Sequence, residues 1–218
     1  MDQVLFIGHF AVAFAAKKAV PRVSLGTLFV SVQFLDLLWP LLLLADIEHV
    51  RIDPGNTVVT PFDFYDYSFS HSLVGALGWA VIFSLGYFAV RGNRIGAGIL
   101  AIGVASHWVL DVITHRPDLP VLPNGPYVGL GLWNSLAGTI VVELALFGAG
   151  VFLYVGSTKA SNRIGSYCSW ALIGFLVVAW LGNIFGEPPP SVTAVAVVTN
   201  SLWLLVAWAC WIDRHRSP

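Results

Sequence analysis

Residues 95–113, IGAGILAIGVASHWVLDVI, form an apolar run of membrane-crossing length that nevertheless carries His107 and Asp111. A bilayer-spanning helix takes about 20 residues. Side chains four apart on such a helix share a face and can reach one ion. Ionisable groups cost roughly 2.5–3.5 kcal/mol each at the centre of a membrane helix on insertion scales, so both are functional candidates by default.

The rest of the 218-residue chain repeats this pattern, with 57% hydrophobic and only 11% Asp, Glu, Lys or Arg. Soluble domains carry about 25% charged residues. So little polar material could not cover a water-exposed surface, and the mean hydropathy of +0.78 points to an all-α, polytopic integral membrane bundle forming a single domain, 1–218. Seven spans are expected, at about 3–16, 24–45, 70–90, 95–113, 134–155, 167–185 and 191–212. The first is short for a full crossing. A formal net charge of −1 offers no basic face to a phosphate backbone, which argues against nucleic-acid binding.

Basic residues alternate between connections. Lys17, Lys18, Arg22, Arg91, Arg94, Lys159, Arg163, Arg214 and Arg216 fall on one side, while only Arg51 and Arg116 fall on the other. That other side collects Asp46, Glu48, Asp53, Asp63, Asp66, Asp118 and Glu187, and the acids between Asp46 and Asp66 read as a solvated face. The positive-inside rule then places the N-terminus outside and the C-terminus in the cytoplasm. Cys168 and Cys210 lie alone in apolar stretches and read as packing residues. The segment opening with Asp2 lacks the basic start of a signal peptide, so cleavage after Ala13-Phe14-Ala15 is not expected.

His9, Asp36, His71, His107, Asp111 and Glu143 are the ionisable groups inside the expected spans, all in the outer halves. Five segments thus feed one layer of the membrane. Neutral imidazoles and carboxylates without thiolates are the donor set of a catalytic zinc or related divalent ion, which lowers the pKa of a bound water toward ~7. His71, His107 and Asp111 suit one ion; Asp36 and His9 can complete a second, with Glu143 as general base or further ligand. Arg116, beside His115, is suited to hold a phosphate or carboxylate oxygen. Pro40 lacks the N–H that would bond the carbonyl of residue 36, so a kink is expected there. Each residue singly also has an ordinary reading as a hydrogen-bonded bridge between membrane helices.

The succession Gly8-His9, Asp36, Ser70-His71-Ser72-Leu73, Ser106-His107-Trp108-Val109-Leu110-Asp111 and Thr114-His115 resembles the YdjM-type integral-membrane metal-dependent hydrolases. The resemblance covers about residues 5–155, leaving 156–218 as two additional C-terminal helices. The same order of ligands is similar to the soluble zinc-dependent phospholipase C and P1-type nuclease group. It implies metal ligation by His9, Asp36, His71, His107 and Asp111, one or two ions with zinc favoured, and a further pair in His115 and Glu143. It also implies phosphoester hydrolysis; the depth of the site suits a lipid headgroup arriving laterally from the bilayer, and the expected location is a bacterial inner membrane. The family's D-x-D-H stretch stands here as Asp36-Leu37-Leu38-Trp39, with one carboxylate and no His. An ion- or proton-coupled transporter and a non-catalytic membrane scaffold are the rival readings, and the sequence carries no sign of oligomeric state.

Overall fold

A computed structural model describes residues 6–218; Asp2 and the first residues of the 3–16 span lie outside the described part. The chain runs through α1 (Ile7–Ala19), α2 (Leu25–Val32), α3 (Phe34–Leu44), β1 (His49–Ile52), β2 (Phe62–Asp66), α4 (Ser68–His71), α5 (Leu73–Arg91) and α6 (Arg94–Thr114). It continues through β3 (Leu119–Pro120), β4 (Tyr127–Val128), a 3-10 turn (Leu132–Asn134), α7 (Leu136–Ser157), β5 (Lys159–Ala160), α8 (Arg163–Phe185), α9 (Val192–Thr199), α10 (Leu202–Asp213) and β6 (Arg216–Ser217). The strands make only three short antiparallel pairs, β1 with β2, β3 with β4 and β5 with β6.

Most helix starts are written locally. Ser24, Ser72, Asn93, Ser135, Asn162 and Ser191 each accept a hydrogen bond from the backbone N–H three residues on. This satisfies an amide that lipid or protein would leave bare.

Among the described residues, five helical segments are long and apolar enough to cross a membrane: α5, α6, α7, α8 and the α9–α10 pair, Val192–Asp213. The α2–α3 pair makes a sixth if its two halves, bent by 58°, count as one span. Along α5, Val74, Leu77, Val81, Ile82, Leu85 and Val90 are all exposed, an apolar band that belongs against lipid rather than water.

Among the described residues the expected count of seven is therefore not supported, and the span not found there is the first. At 13 residues, α1 is about 20 Å long, well short of a ~30 Å hydrocarbon core. It is instead a core helix, packed against α2, α6 and α7, with Ile7, Phe10, Ala13 and Phe14 buried. Gly150 of α7 allows its close approach, since a Cβ there would collide with the Ala11 backbone.

The break in the second span is also displaced from expectation. The helix runs on through Pro40 and breaks at Gln33, where φ −108° and ψ 13° leave the helical path. At the break the Val32 carbonyl accepts from His107 Nδ1, a tertiary bond of the kind that accompanies helix breaks.

Polar contacts segregate to the two ends of the bundle. At one, Lys17 reaches Asp213, Asn162 reaches His215, and Lys159 and Ala160 pair with the C-terminal strand. At the other, the β1–β2 hairpin, α4 and the 115–135 connection close over the ends of α3 and α6.

Candidate metal centre

Each functional side chain reaches the centre by a separate element. α1 supplies His9, α3 Asp36, α4 His71, and α6 both His107 and Asp111 on adjacent turns of one face. Ser72 is extended, which ends α4 and leaves His71 at its last position before α5 begins. All five are buried.

The distances between them have a pattern. His9 Nε2 lies 3.3 Å from Asp111 Oδ1 and His107 Nε2 lies 3.4 Å from Asp111 Oδ2. On the other flank, His71 Nε2 is 3.5 Å and His107 Nε2 3.6 Å from Asp36 Oδ1. These exceed ordinary N–H···O lengths of 2.7–3.2 Å. They match the edge of a coordination tetrahedron, because two donors each ~2.0–2.1 Å from zinc stand about 3.3–3.4 Å apart. Two overlapping triads result, His9–His107–Asp111 and Asp36–His71–His107, each with its donor atoms within 4.8 Å of one another.

The hydrogen bonding of His107 sharpens the point. Its Nδ1 donates to the Val32 carbonyl at 2.7 Å, and a carbonyl can only accept. In the neutral ring Nε2 then carries a lone pair aimed at two carboxylates. Acceptor faces acceptor, which a second ring proton or a cation must relieve. Asp111 Oδ2 is buried without a hydrogen-bond partner, as expected of a group oriented toward an ion. His9 and His107 stack at 3.9 Å between centroids and 9° between planes, so the two rings present their edges side by side.

Beside these donors lies a cavity of about 30 Å³, room for an ion with one or two waters. Its far wall is aromatic, made of Phe6, Trp39, Phe62, Phe64, Tyr67 and Trp133. Low-polarity walls strengthen every charge interaction they enclose. Burial pushes the Tyr67 phenol up, so it remains a donor, and it bonds the Asp118 carbonyl at 3.2 Å.

The remaining expected residues have other partners. Glu143 is buried on α7 but outside both triads; its Oε2 accepts the Gly8 N–H at 2.7 Å. Phe6 offers α1 no side-chain cap, so Glu143 supplies the acceptor and the negative charge that a helix N-terminus favours. It holds in place the helix that presents His9. His115 lines the cavity, with Nδ1 3.0 Å from Asp118 Oδ1 and its ring 4.3 Å from that of Trp133.

Arg116 departs from expectation. Its guanidinium is engaged by Asp63 at 2.7 Å, Asp118 at 2.9 Å and Asn56, and it does not line the cavity. It ties the 115–135 connection to the hairpin instead of waiting for a substrate oxygen.

The solvated reading of the acids between 46 and 66 also fails at one position. Glu48 is buried, and it accepts two hydrogen bonds from Ser70, beside His71. Asp46 and Asp66 do remain at the surface, where they flank His49 at 3.2 and 2.7 Å and raise its pKa, Asp66 most. The sequence gives little signal for Glu48, which stands four residues past the end of the apolar α3 beside Asp46.

Comparison with known protein families, with proteins of described function and with solved structures finds no match. The case for function therefore rests on the geometry of the site.

Proposed function

We propose that this protein is an integral-membrane, metal-dependent hydrolase whose centre is built from His9, Asp36, His71, His107 and Asp111. The observation that carries the reading is the opposition of imidazole nitrogens and carboxylate oxygens at 3.3–3.6 Å, all of them buried and spaced wider than a hydrogen bond. Nitrogen and carboxylate donors in small number suit zinc above magnesium or calcium, which prefer oxygen shells. The two triads share His107, so one or two ions fit.

Zinc at such a centre supplies a Lewis acid and a water acidic enough to be a nucleophile near neutral pH. The chain's own residues do the rest. Val32 orients His107, Glu143 anchors the start of α1 behind His9, and the aromatic wall excludes bulk water from the donors. His115, hydrogen-bonded at Nδ1 and facing the cavity, is the group best placed to exchange a proton there.

The basic end of the bundle faces the cytoplasm in this reading, by the positive-inside rule, and the centre lies in the outer half of a bacterial inner membrane. A phosphoester is the substrate class we favour, with a lipid headgroup entering sideways from the bilayer; this rests on the depth of the centre and on the sequence resemblance. Among the described residues lining the cavity none is Lys or Arg, so charge on a substrate would be met by the metal.

The test is elemental analysis of the purified protein, followed by His107→Ala and Asp111→Ala. Stoichiometric zinc in the wild type and its loss in both variants is expected, together with loss of hydrolysis of phosphoester lipids. Unchanged zinc in both variants would defeat the ligand assignment.

A further inference from the structure

Glu48 presents a problem that the ligands themselves do not. It is 2% exposed, and among the described residues it forms no ion pair; both its partners are on Ser70. A buried carboxylate without a cation costs several kcal/mol, on the order of the penalty per ion in real proteins. Its hydrogen bonds show what offsets that cost. The Ser70 amide donates to Glu48 Oε1 at 2.7 Å, and the Ser70 hydroxyl donates to Oε2 at 2.6 Å.

Ser70 Oγ is also 2.6 Å from His71 Nδ1. A hydroxyl has a single proton, and Glu48 takes it, so Oγ accepts from His71 Nδ1–H. The proton on Nδ1 leaves the lone pair on Nε2, the atom that stands 3.5 Å from Asp36 Oδ1 in the donor triad. The order of donation runs outward from ring to hydroxyl to carboxylate. Reversing it would put a proton on Nε2 and close the position to a cation.

From this we infer that Glu48 is a positioning residue for the metal centre: through Ser70 it fixes the tautomer and ring orientation of His71. This deepens the proposed function and rests on it. Metal-bound imidazoles generally donate their second N–H to such a carboxylate or carbonyl, and losing that partner costs 10–100-fold in metal affinity. Here the carboxylate comes from the connection between α3 and the β1–β2 hairpin, so the loop that roofs the site also sets its ligand.

In a Glu48→Gln variant the amide NH₂ donates to Ser70 Oγ, the hydroxyl proton turns to His71 Nδ1, and Nε2 is protonated. The experiment measures zinc affinity of the full-length protein in detergent by competition with a chromophoric chelator, and the visible spectrum of the cobalt-substituted protein. For Glu48→Gln we expect zinc affinity to fall about 10–100-fold and the cobalt spectrum to change.

Ser70→Ala is the second variant. It keeps the Ser70 amide on Glu48, and so the anchoring of the loop, but cuts the link to His71; the same fall is expected. Ser70→Thr retains the hydroxyl and should restore affinity. If wild-type protein binds zinc and Ser70→Ala binds it equally well with an unaltered cobalt spectrum, the positioning role is overturned. If the wild type takes up no zinc, the metal reading itself is what fails.

Discussion

The two ends of α1 place buried charge in opposite kinds of company. At the C-terminal end Lys17 Nζ is 2.9 Å from Asp213 and donates to the Val23 carbonyl at 2.8 Å. Arg216 nearby bonds Thr158 and the Gly165 carbonyl and lies over the Tyr154 ring. Lys17 and Arg216 thus both meet acceptors at hydrogen-bond length. At the N-terminal end His9 is equally buried, yet it and its neighbours set imidazole nitrogens against carboxylate oxygens at 3.3–3.6 Å, wider than a hydrogen bond. The first is complete as protein; the second needs a further ring proton or, in the proposed function, a cation.

This contrast can be broken most forcefully at the metal end. Zinc should stabilise the wild type by about 4 kcal/mol at a free concentration roughly 1,000 times Kd. That increment should vanish with chelation and be absent in His107→Ala; thermal melting in detergent with and without zinc measures it. A zinc-independent melting point in the wild type would make the two ends alike.

At the other end, Lys17→Met should cost roughly 3 kcal/mol, because Asp213 is left half of a broken buried pair. Zinc uptake should be untouched. Adding Asp213→Leu should recover much of the loss, since well-packed apolar pairs often replace buried ion pairs without penalty. Equilibrium unfolding of the single and double variants decides it; no such recovery is available at the ligand end.

Glu143→Gln probes the boundary between the two kinds of contact. Its amide oxygen still accepts from Gly8, and only the charge at the α1 N-terminus is lost, about 0.3–1 kcal/mol. A small drop in melting temperature with zinc retained is expected, whereas loss of zinc would move Glu143 into the donor set. The smallest effect concerns His49. Asp66 and Asp46 raise its pKa, so its pairing contributes below the unfolded imidazole value and fades as pH rises through the folded value. An NMR titration should give a midpoint above that of a free imidazole, and His49→Asn should leave zinc affinity unchanged.

How much of this the sequence carried follows from the cost of polar groups in lipid. His9, Asp36, His107 and Asp111 stand out because each interrupts an apolar run and His71 because it opens one, and the structure brings all five together. Glu48 was invisible for the converse reason: it sits among loop acids where charge is ordinary, and only folding buries it against Ser70. Pro40 drew attention as a helix breaker, but the break falls at Gln33, where the Val32 carbonyl accepts from a histidine 75 residues away. No local pattern encodes that. The failure of α1 as a span was readable from its length, while its burial as a core helix depends on Gly150 and other distant partners. Arg116 misled because a lone base beside a site looks available until the acids that hold it, Asp63 and Asp118, are placed.

The most direct test is X-ray absorption at the zinc edge on the purified, detergent-solubilised protein. The account predicts near-stoichiometric zinc with nitrogen and oxygen ligands at about 2.0–2.1 Å, at least two of them imidazole, and no sulfur. A protein that takes up no zinc, or a spectrum dominated by sulfur ligands, would contradict it.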